Sequence, residues 1–140
     1  MALPQSIAAL SQQLGGTGVQ DIVIQCFYCG RPLSWAEKVL YDSSNIPVIL
    51  YRECFYASCH PCVTANARLD FVMNYEGVTS AAEVELRYGK TIENLSVRCV
   101  SCLRELTRTE KRDVQQTDPD LFMIRDTIRT LCIVCRVGLR

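Results

Sequence analysis

The sequence predicts an α+β chain of two duplicated small α/β domains joined by a linker helix, and three observations carry that reading. Eight of the nine cysteines fall into four Cys-x-x-Cys pairs: Cys26/Cys29, Cys59/Cys62, Cys99/Cys102 and Cys132/Cys135. Both halves use one spacing, with 29 residues between the first and second pairs and 29 between the third and fourth, so every cysteine of the first set recurs 73 positions later. The 36 residues between the sets, Val63–Arg98, have helical patterning rather than a loose Gly/Ser composition.

Taken in chain order, the expected divisions are an N-terminal arm over 1–20, a first domain over 21–65, a linker helix over 66–84 and a second domain over 85–140. In the arm, Ile7, Leu10 and Leu14 share one helical face, and Gly15-Gly16 ends a short helix; the segment is either a mobile arm or one that docks on a domain. Within each copy a short apolar β-like run, Pro47–Tyr51 or Asp120–Ile124, precedes the second cysteine pair. The stretches Glu37–Tyr41 and Arg108–Val114 follow the first pair. In the linker, Leu69, Val72 and Met73 suit an amphipathic helix with Gly77 near its end. Ser80-Ala81-Ala82-Glu83 reads as a capping box and Gly89 as the residue closing that helix. A short segment Thr91–Leu95 follows.

The offset of 73 extends beyond the cysteines. Arg31 maps to Arg104, Leu33 to Leu106, Glu37 to Glu110, Lys38 to Lys111 and Arg52 to Arg125, and Ile24 maps to the equally apolar Val97. This is an internal duplication, and it pairs each cysteine with its own copy. Two thiolates two residues apart chelate one ion from a tight turn, and a second turn completes the closed tetrahedron of structural zinc. The predicted ligands are therefore Cys26, Cys29, Cys59 and Cys62 for one zinc ion and Cys99, Cys102, Cys132 and Cys135 for another. Each unit is near the size where a hydrophobic core alone is marginal. Structural zinc contributes about 10–16 kcal/mol in small peptides, against a typical net stability of about 5–15 kcal/mol, so each unit should unfold without its metal. A thioredoxin-type redox pair does not explain four duplicated pairs, and iron–sulfur ligation fits two distant pairs less well. A disulfide framework needs an oxidising compartment, and the first residues lack the basic and long apolar regions of a secretory signal. Cys54 has no counterpart, since position 127 is Thr, and is read as incidental. His60, between two ligands, is read as exposed.

Charge and composition narrow the function. Formal net charge is zero. Residues 1–86 hold 4 Lys+Arg against 8 Asp+Glu and residues 87–140 hold 11 against 7, giving −4 and +4. The second half thus favours an acidic partner, yet no domain carries the dense basic stripe of a nucleic-acid binder. No apolar run approaches the roughly 20 residues of a membrane span, so no membrane partner is expected. With one histidine lying between ligands, no phosphate-binding Gly-rich loop and both sites closed by thiolates, no enzyme is expected.

Two sites of this spacing, separated by 36 residues, resemble the papillomavirus early oncoprotein family called E-six. Asp21-Ile22 leading into Cys26, Tyr28 inside the first pair, Tyr88-Gly89-Lys90, and Arg98 before Cys99 also look like that family. The resemblance covers residues 22 to 136. It implies two related zinc domains, a linker helix and an inter-domain groove. It also implies a non-enzymatic adaptor in the host cytoplasm and nucleus that captures acidic LxxLL helices and so redirects ubiquitination or transcription. The implied partner classes are a HECT-type ubiquitin ligase, coactivators of Notch signalling and a focal-adhesion scaffold. By family position Tyr28, Ile46 and Val48 supply the apolar wall, and Arg98 and Arg125 face the peptide. Arg52 is the repeat equivalent of Arg125, although the family's usual basic position aligns with Tyr51. Met73 stands where some relatives carry a basic residue. The end Arg136-Val-Gly-Leu-Arg140 lacks the Ser/Thr-x-Val/Leu motif of PDZ-binding relatives, so no PDZ partner is expected. The competing reading is a zinc-dependent nucleic-acid-binding transcription regulator.

Overall fold

The computed structural model describes residues 3–16 and 18–138. Leu139 and Arg140, part of the tail from which no PDZ partner is expected, lie outside the described residues, as do Met1, Ala2 and Thr17 of the arm. The chain divides into two compact units, Met1–Ala65 and Asn66–Arg140. Among the described residues no helix is long and apolar enough to cross a membrane.

The first unit contains α1 (Ile7–Gln13), a 3-10 turn (Val19–Asp21), α2 (Trp35–Ser43), β1 (Ile49–Tyr51) and β2 (Cys54–Tyr56). A helix start leaves backbone N–H groups without partners, and α1 fills three of them. The Ser6 hydroxyl accepts from Ala9 N at 3.0 Å, while the Asp42 carboxylate on α2 accepts from Ile7 N at 2.8 Å and Ala8 N at 3.0 Å. That docking places Ile7 and Leu10 in one buried cluster with Ile24, Leu33, Tyr41 and Ala57. Within the segment expected as an arm over 1–20, α1 thus contributes Ile7 and Leu10 to the first unit's core, although Leu14 stays exposed. The buried Lys38 donates from Nζ to the carbonyls of Val19 and Ile22, fixing the turn that leads to the first cysteine pair.

In the second unit β3 (Tyr75–Thr79), β4 (Val97–Cys99), β5 (Leu121–Ile124) and β6 (Thr127–Thr130) form a sheet of order β3-β5-β6-β4, with β4 and β6 parallel and the other pairs antiparallel. Three helices accompany it: α4 (Ala81–Tyr88), α5 (Arg108–Thr117) and the short α6 (Ile133–Arg136). The core joins Ala81 and Val84 of α4, Ile92, Val97, Val114 of α5, Leu121, Met123 and Ile128. The expected linker helix over 66–84 is corrected here. α3 (His60–Asn74) starts before the expected range and stops at Asn74, and residues 75–79 form β3 instead. The reason is a partner remote in sequence: Val78 and Thr79 pair with Phe122 and Leu121, and Gly77, at φ 144°, takes up the register shift beside it. Leu69, Val72 and Met73 lie on α3 as a stripe but are exposed rather than core. α4 has the expected ends, with the Ser80 hydroxyl accepting from Glu83 N at 3.3 Å and Gly89 closing it in the left-handed conformation at φ 67°, but only half of the expected capping box forms, the Glu83 carboxylate accepting from the Thr79 hydroxyl at 3.0 Å.

The duplication survives at the level of single hydrogen bonds. Cys26 N donates to Arg31 O at 2.8 Å, and Cys99 N to Arg104 O at 2.8 Å. Leu33 N reaches Ile24 O at 2.9 Å, and Leu106 N reaches Val97 O at 2.8 Å. Phe27 N to Ala57 O recurs as Val100 N to Thr130 O, both 2.8 Å. Ser34 with Glu37 and Thr107 with Glu110 form capping boxes that start α2 and α5. The two-residue turns Arg52-Glu53 and Arg125-Asp126 join β1 to β2 and β5 to β6, all four residues having positive φ, as primed hairpin turns require.

Truncating Ile7, fully buried, to Ala should destabilise the first unit by about 2–5 kcal/mol. Thermal melting of the metal-loaded protein checks this; an unchanged midpoint would mean that the N-terminal helix is not part of the core.

Candidate metal centres

Each cysteine pair sits where two pieces of backbone are already held. In the first unit the turn Cys26–Cys29 closes by Gly30 N donating to Cys26 O at 2.9 Å, with Gly30 at φ 76°. In the second, Leu103 N donates to Cys99 O at 3.0 Å, and Leu103 adopts the same conformation at φ 63°. A left-handed leucine is strained where glycine is not, which indicates that the turn is imposed by its surroundings. The second pair of each copy lies at a helix start: Cys59 precedes α3, and Cys132 caps α6, its sulfur accepting from Cys135 N at 3.5 Å.

These elements gather Cys26, Cys29, Cys59 and Cys62 into one group and Cys99, Cys102, Cys132 and Cys135 into another, the sulfurs of each lying within 4.8 Å of one another. All eight predicted ligands are thereby brought together in the predicted sets. Cys29 Sγ lies 3.7 Å from Cys59 Sγ, and Cys102 Sγ lies 3.9 Å from Cys132 Sγ. Zinc–thiolate bonds of about 2.3 Å in a tetrahedron place sulfurs roughly 3.8 Å apart, so both groups fit the ion. Cys54 is exposed and belongs to neither group. His60 is half-buried at the start of α3, not exposed as its sequence position indicated.

The electrostatics of the thiols point the same way. Burial works against ionisation of Cys26, but the N–H groups of Cys29, Cys59 and Tyr28 bring its pKa down to about 6. Hydrogen bonding to Cys59, with burial, pushes Cys62 up to about 12. In the second group the Cys102 side chain, against the effect of burial and with help from the N–H groups of Cys132, Cys102 and Ser101, lowers Cys99 to about 4. The Cys99 side chain in turn raises Cys102, and burial raises Cys135 to about 11. Four thiolates this close cannot all ionise beside one another without a cation. A dication removes that obstacle, and four thiolates leave it no open position for a catalytic water.

The side chains expected to face a peptide are placed unit by unit. In the first, Tyr28 is exposed and packs edge-on against Phe27 at 5.2 Å; Phe27 also meets Tyr51 at 5.4 Å and Tyr56 at 5.5 Å. Arg52 lies over the Tyr51 ring at 5.1 Å. Ile46 and Val48 are half-buried against the core. In the second, Arg98 is on β4, donates to Leu103 O at 2.8 Å, and lines a cavity of about 200 Å³ with Tyr88, Leu95 and Ile128. Arg125 sits in the β5–β6 turn and pairs with Asp70 at 3.2 Å. The sequence reading did not single out Asp70 or Arg129. Arg129, beside Arg98 across the β4–β6 ladder, is buried and meets the other Asp70 oxygen at 2.6 Å. Against the effect of burial, that guanidinium holds the Asp70 carboxyl below its usual range. The duplication could not reveal this pair, because position 56, which corresponds to Arg129, is Tyr.

Comparison with known proteins follows the same lines. The family model described as Early Protein (E6) matches residues 26–135. Protein E6 of Human papillomavirus 19 is 31% identical over 134 residues, spanning 96% of this chain and 80% of that protein. Protein E6 of Human papillomavirus 17 is 31% identical over 133 residues and 94% of each chain. The solution structure of the C-terminal zinc-binding domain of HPV51 oncoprotein E6 matches with a TM-score of 0.40 at 24% identity, over 46% of this chain and 88% of that one. The two thiolate groups hold two zinc ions per chain.

Cys26→Ser should remove the first zinc and Cys132→Ser the second, each with loss of the cooperative melting of its own unit, whereas Cys54→Ser should keep both metals. Native mass spectrometry with thermal melting checks all three. Full zinc content in either ligand variant would refute the assignment.

Proposed function

Because the chain belongs to the E6 family of papillomavirus early proteins, we propose that it is a zinc-held adaptor, not an enzyme, that captures acidic LxxLL helices of host proteins and so redirects ubiquitination or transcription. It would act in the host cytoplasm and nucleus, on a HECT-type ubiquitin ligase, a Notch coactivator or a focal-adhesion scaffold.

The observation that carries this reading is the small cavity of the second unit, lined by Tyr88, Leu95 and Ile128 with Arg98, and also by Ser96, Thr127 and Asp126, whose carboxylate meets Arg87 at 3.5 Å. At about 200 Å³ it falls below the roughly 300 Å³ of a small-molecule pocket. It suits a single aliphatic side chain flanked by a carboxylate, as a helix docking by leucines and acidic neighbours presents. Arg125, with a side chain 69% exposed, keeps donors for a second carboxylate beside its contact with Asp70. The exposed ring of Tyr28 offers apolar surface in the first unit. The nucleic-acid reading gains no such support. Seven arginines of the basic half, Arg87, Arg104, Arg108, Arg112, Arg125, Arg129 and Arg136, are paired with carboxylates rather than arrayed as a free stripe.

Charge reversal, Arg98→Glu or Arg125→Glu, should weaken binding of an acidic LxxLL peptide while both zinc ions are retained, the melting midpoint falling by the loss of the Arg98 contact with Leu103 O or the Arg125 contact with Asp70. A charge-assisted hydrogen bond contributes about 1.5–3 kcal/mol, so each loss should cost roughly ten- to a hundredfold in Kd by calorimetric titration. Parental affinity in both variants would refute this placement of the peptide.

A further inference from the structure

A long exposed arginine samples many rotamers, and holding one of them for a partner costs entropy at the moment of binding. Arg125, in the β5–β6 turn, is exposed, yet its base is already held. Asp70 on α3 meets Arg125 Nε through Oδ1 at 3.2 Å. That contact uses Nε, so the two Nη groups of the fork are not spent on it.

Asp70 is held in turn. Its Oδ1 also accepts from Asn74 Nδ2 at 2.7 Å, one turn along the same helix, and its Oδ2 meets Arg129 Nη2 at 2.6 Å. The Arg129 side chain is only 8% exposed and that of Asp70 21%. Nε and Nη1 of Arg129 are buried and have no hydrogen-bond partner among the described residues. A cation this deep depends on the opposite charge it meets, and here Asp70 supplies it. The order from the interior outward is thus Arg129, Asp70, Arg125.

A carboxylate next to an arginine that receives an acidic partner would by itself repel that partner. Arg129 offsets the charge of Asp70 from the buried side, so the trio holds two cations to one anion and still attracts a carboxylate. Arg98, which lines the small cavity, pairs in register with Arg129 across the β4–β6 ladder and adds to the same field. We propose that Asp70 and Arg129 are positioning residues of the capture site: Asp70 holds the Arg125 guanidinium by Nε in one orientation, Arg129 cancels the repulsion Asp70 would exert, and together they set a preference for acidic flanks. The inference rests on the capture of acidic LxxLL helices proposed above.

Calorimetric titration with two peptides of one LxxLL core reads the effect, one peptide having acidic flanks and the other having glutamine in place of those acids. The parent must first bind the acidic peptide and Arg125→Gln must weaken that binding. No binding by the parent, or parental affinity in Arg125→Gln, would overturn the capture reading and this inference with it. The test variant combines Asp70→Ala with Arg129→Met, which removes both charges at once, leaves no buried charge unpaired and keeps the net charge. Freeing one ordered side chain corresponds to about three- to tenfold in Kd. The acidic peptide should therefore bind about three- to tenfold more weakly, while the glutamine peptide binds as to the parent. In an Arg125→Gln background the same two changes should cost nothing further, because the effect passes through Arg125. Asp70→Glu, which keeps the charge and moves the oxygens by one methylene, is the milder second variant should the pair fail to hold both zinc ions; it should lose part of the same preference. Parental affinity for the acidic peptide in the folded variant would overturn the proposal. So would a gain in affinity, which would make Asp70 a rival for Arg125, or equal losses with both peptides, which would assign the residues to packing alone.

Discussion

Sulfurs drawn from four separate points of the chain to within 4.8 Å of one another are the constraint on which each unit depends. In the first unit they bind the turn before α2 to the start of α3; in the second they bind the turn after β4 to α6. Neither unit has a large apolar interior, and several of the ligands are themselves core residues: Cys26 and Cys59 belong to one buried cluster, and Cys99, Cys102 and Cys132 to the other. The metal centre and the hydrophobic core are therefore one object. Crowded thiols that resist joint ionisation give the apo chain a reason to open at this place, and the dication reverses that preference.

Around a shared centre the two copies have diverged in a way that physical chemistry explains. Both keep the Cys turn, the bridge from Cys26 to Ala57 or Cys99 to Thr130, the capped helix and the positive-φ hairpin. The second copy gains β3, which pairs with β5 and, with β4 on the other side of the β5–β6 hairpin, completes a four-stranded sheet. The first copy keeps a two-stranded sheet and buries Ile7 and Leu10 of α1 instead. Small units need extra buried surface, and each copy recruits it from the flanking chain nearest to it.

Much of this was legible in the sequence because duplication converts local spacing into tertiary information. The offset that matches Cys26 with Cys99 also matches Glu37 with Glu110 and Arg52 with Arg125, so the ligand sets and the repeated residues could be read from spacing, whereas the capping boxes at Ser34 and Thr107 and the hairpin turns were not singled out. What was illegible depends on partners found only once. Residues 75–79 lie beyond an amphipathic stripe and are a strand only because Leu121–Ile124 is available to pair with them. The docking of α1 rests on Asp42, an acidic residue on α2 with no periodic signal. Asp70, shared by Arg125 and Arg129, joins a helix to two places on the sheet that no local pattern links. Arg31, Glu37, Arg104 and Glu110 stood out as repeated residues, but the ion pairs Arg31–Glu37 and Arg104–Glu110 are visible only in three dimensions.

The central claim, that two closed four-thiolate zinc centres hold the fold, is tested most directly by X-ray absorption at the zinc edge together with elemental analysis of the purified chain. The account predicts two zinc ions per chain and a first shell of four sulfurs at about 2.3 Å, with no nitrogen or oxygen scatterer. A shell containing nitrogen or oxygen, or a single zinc ion per chain, would contradict it.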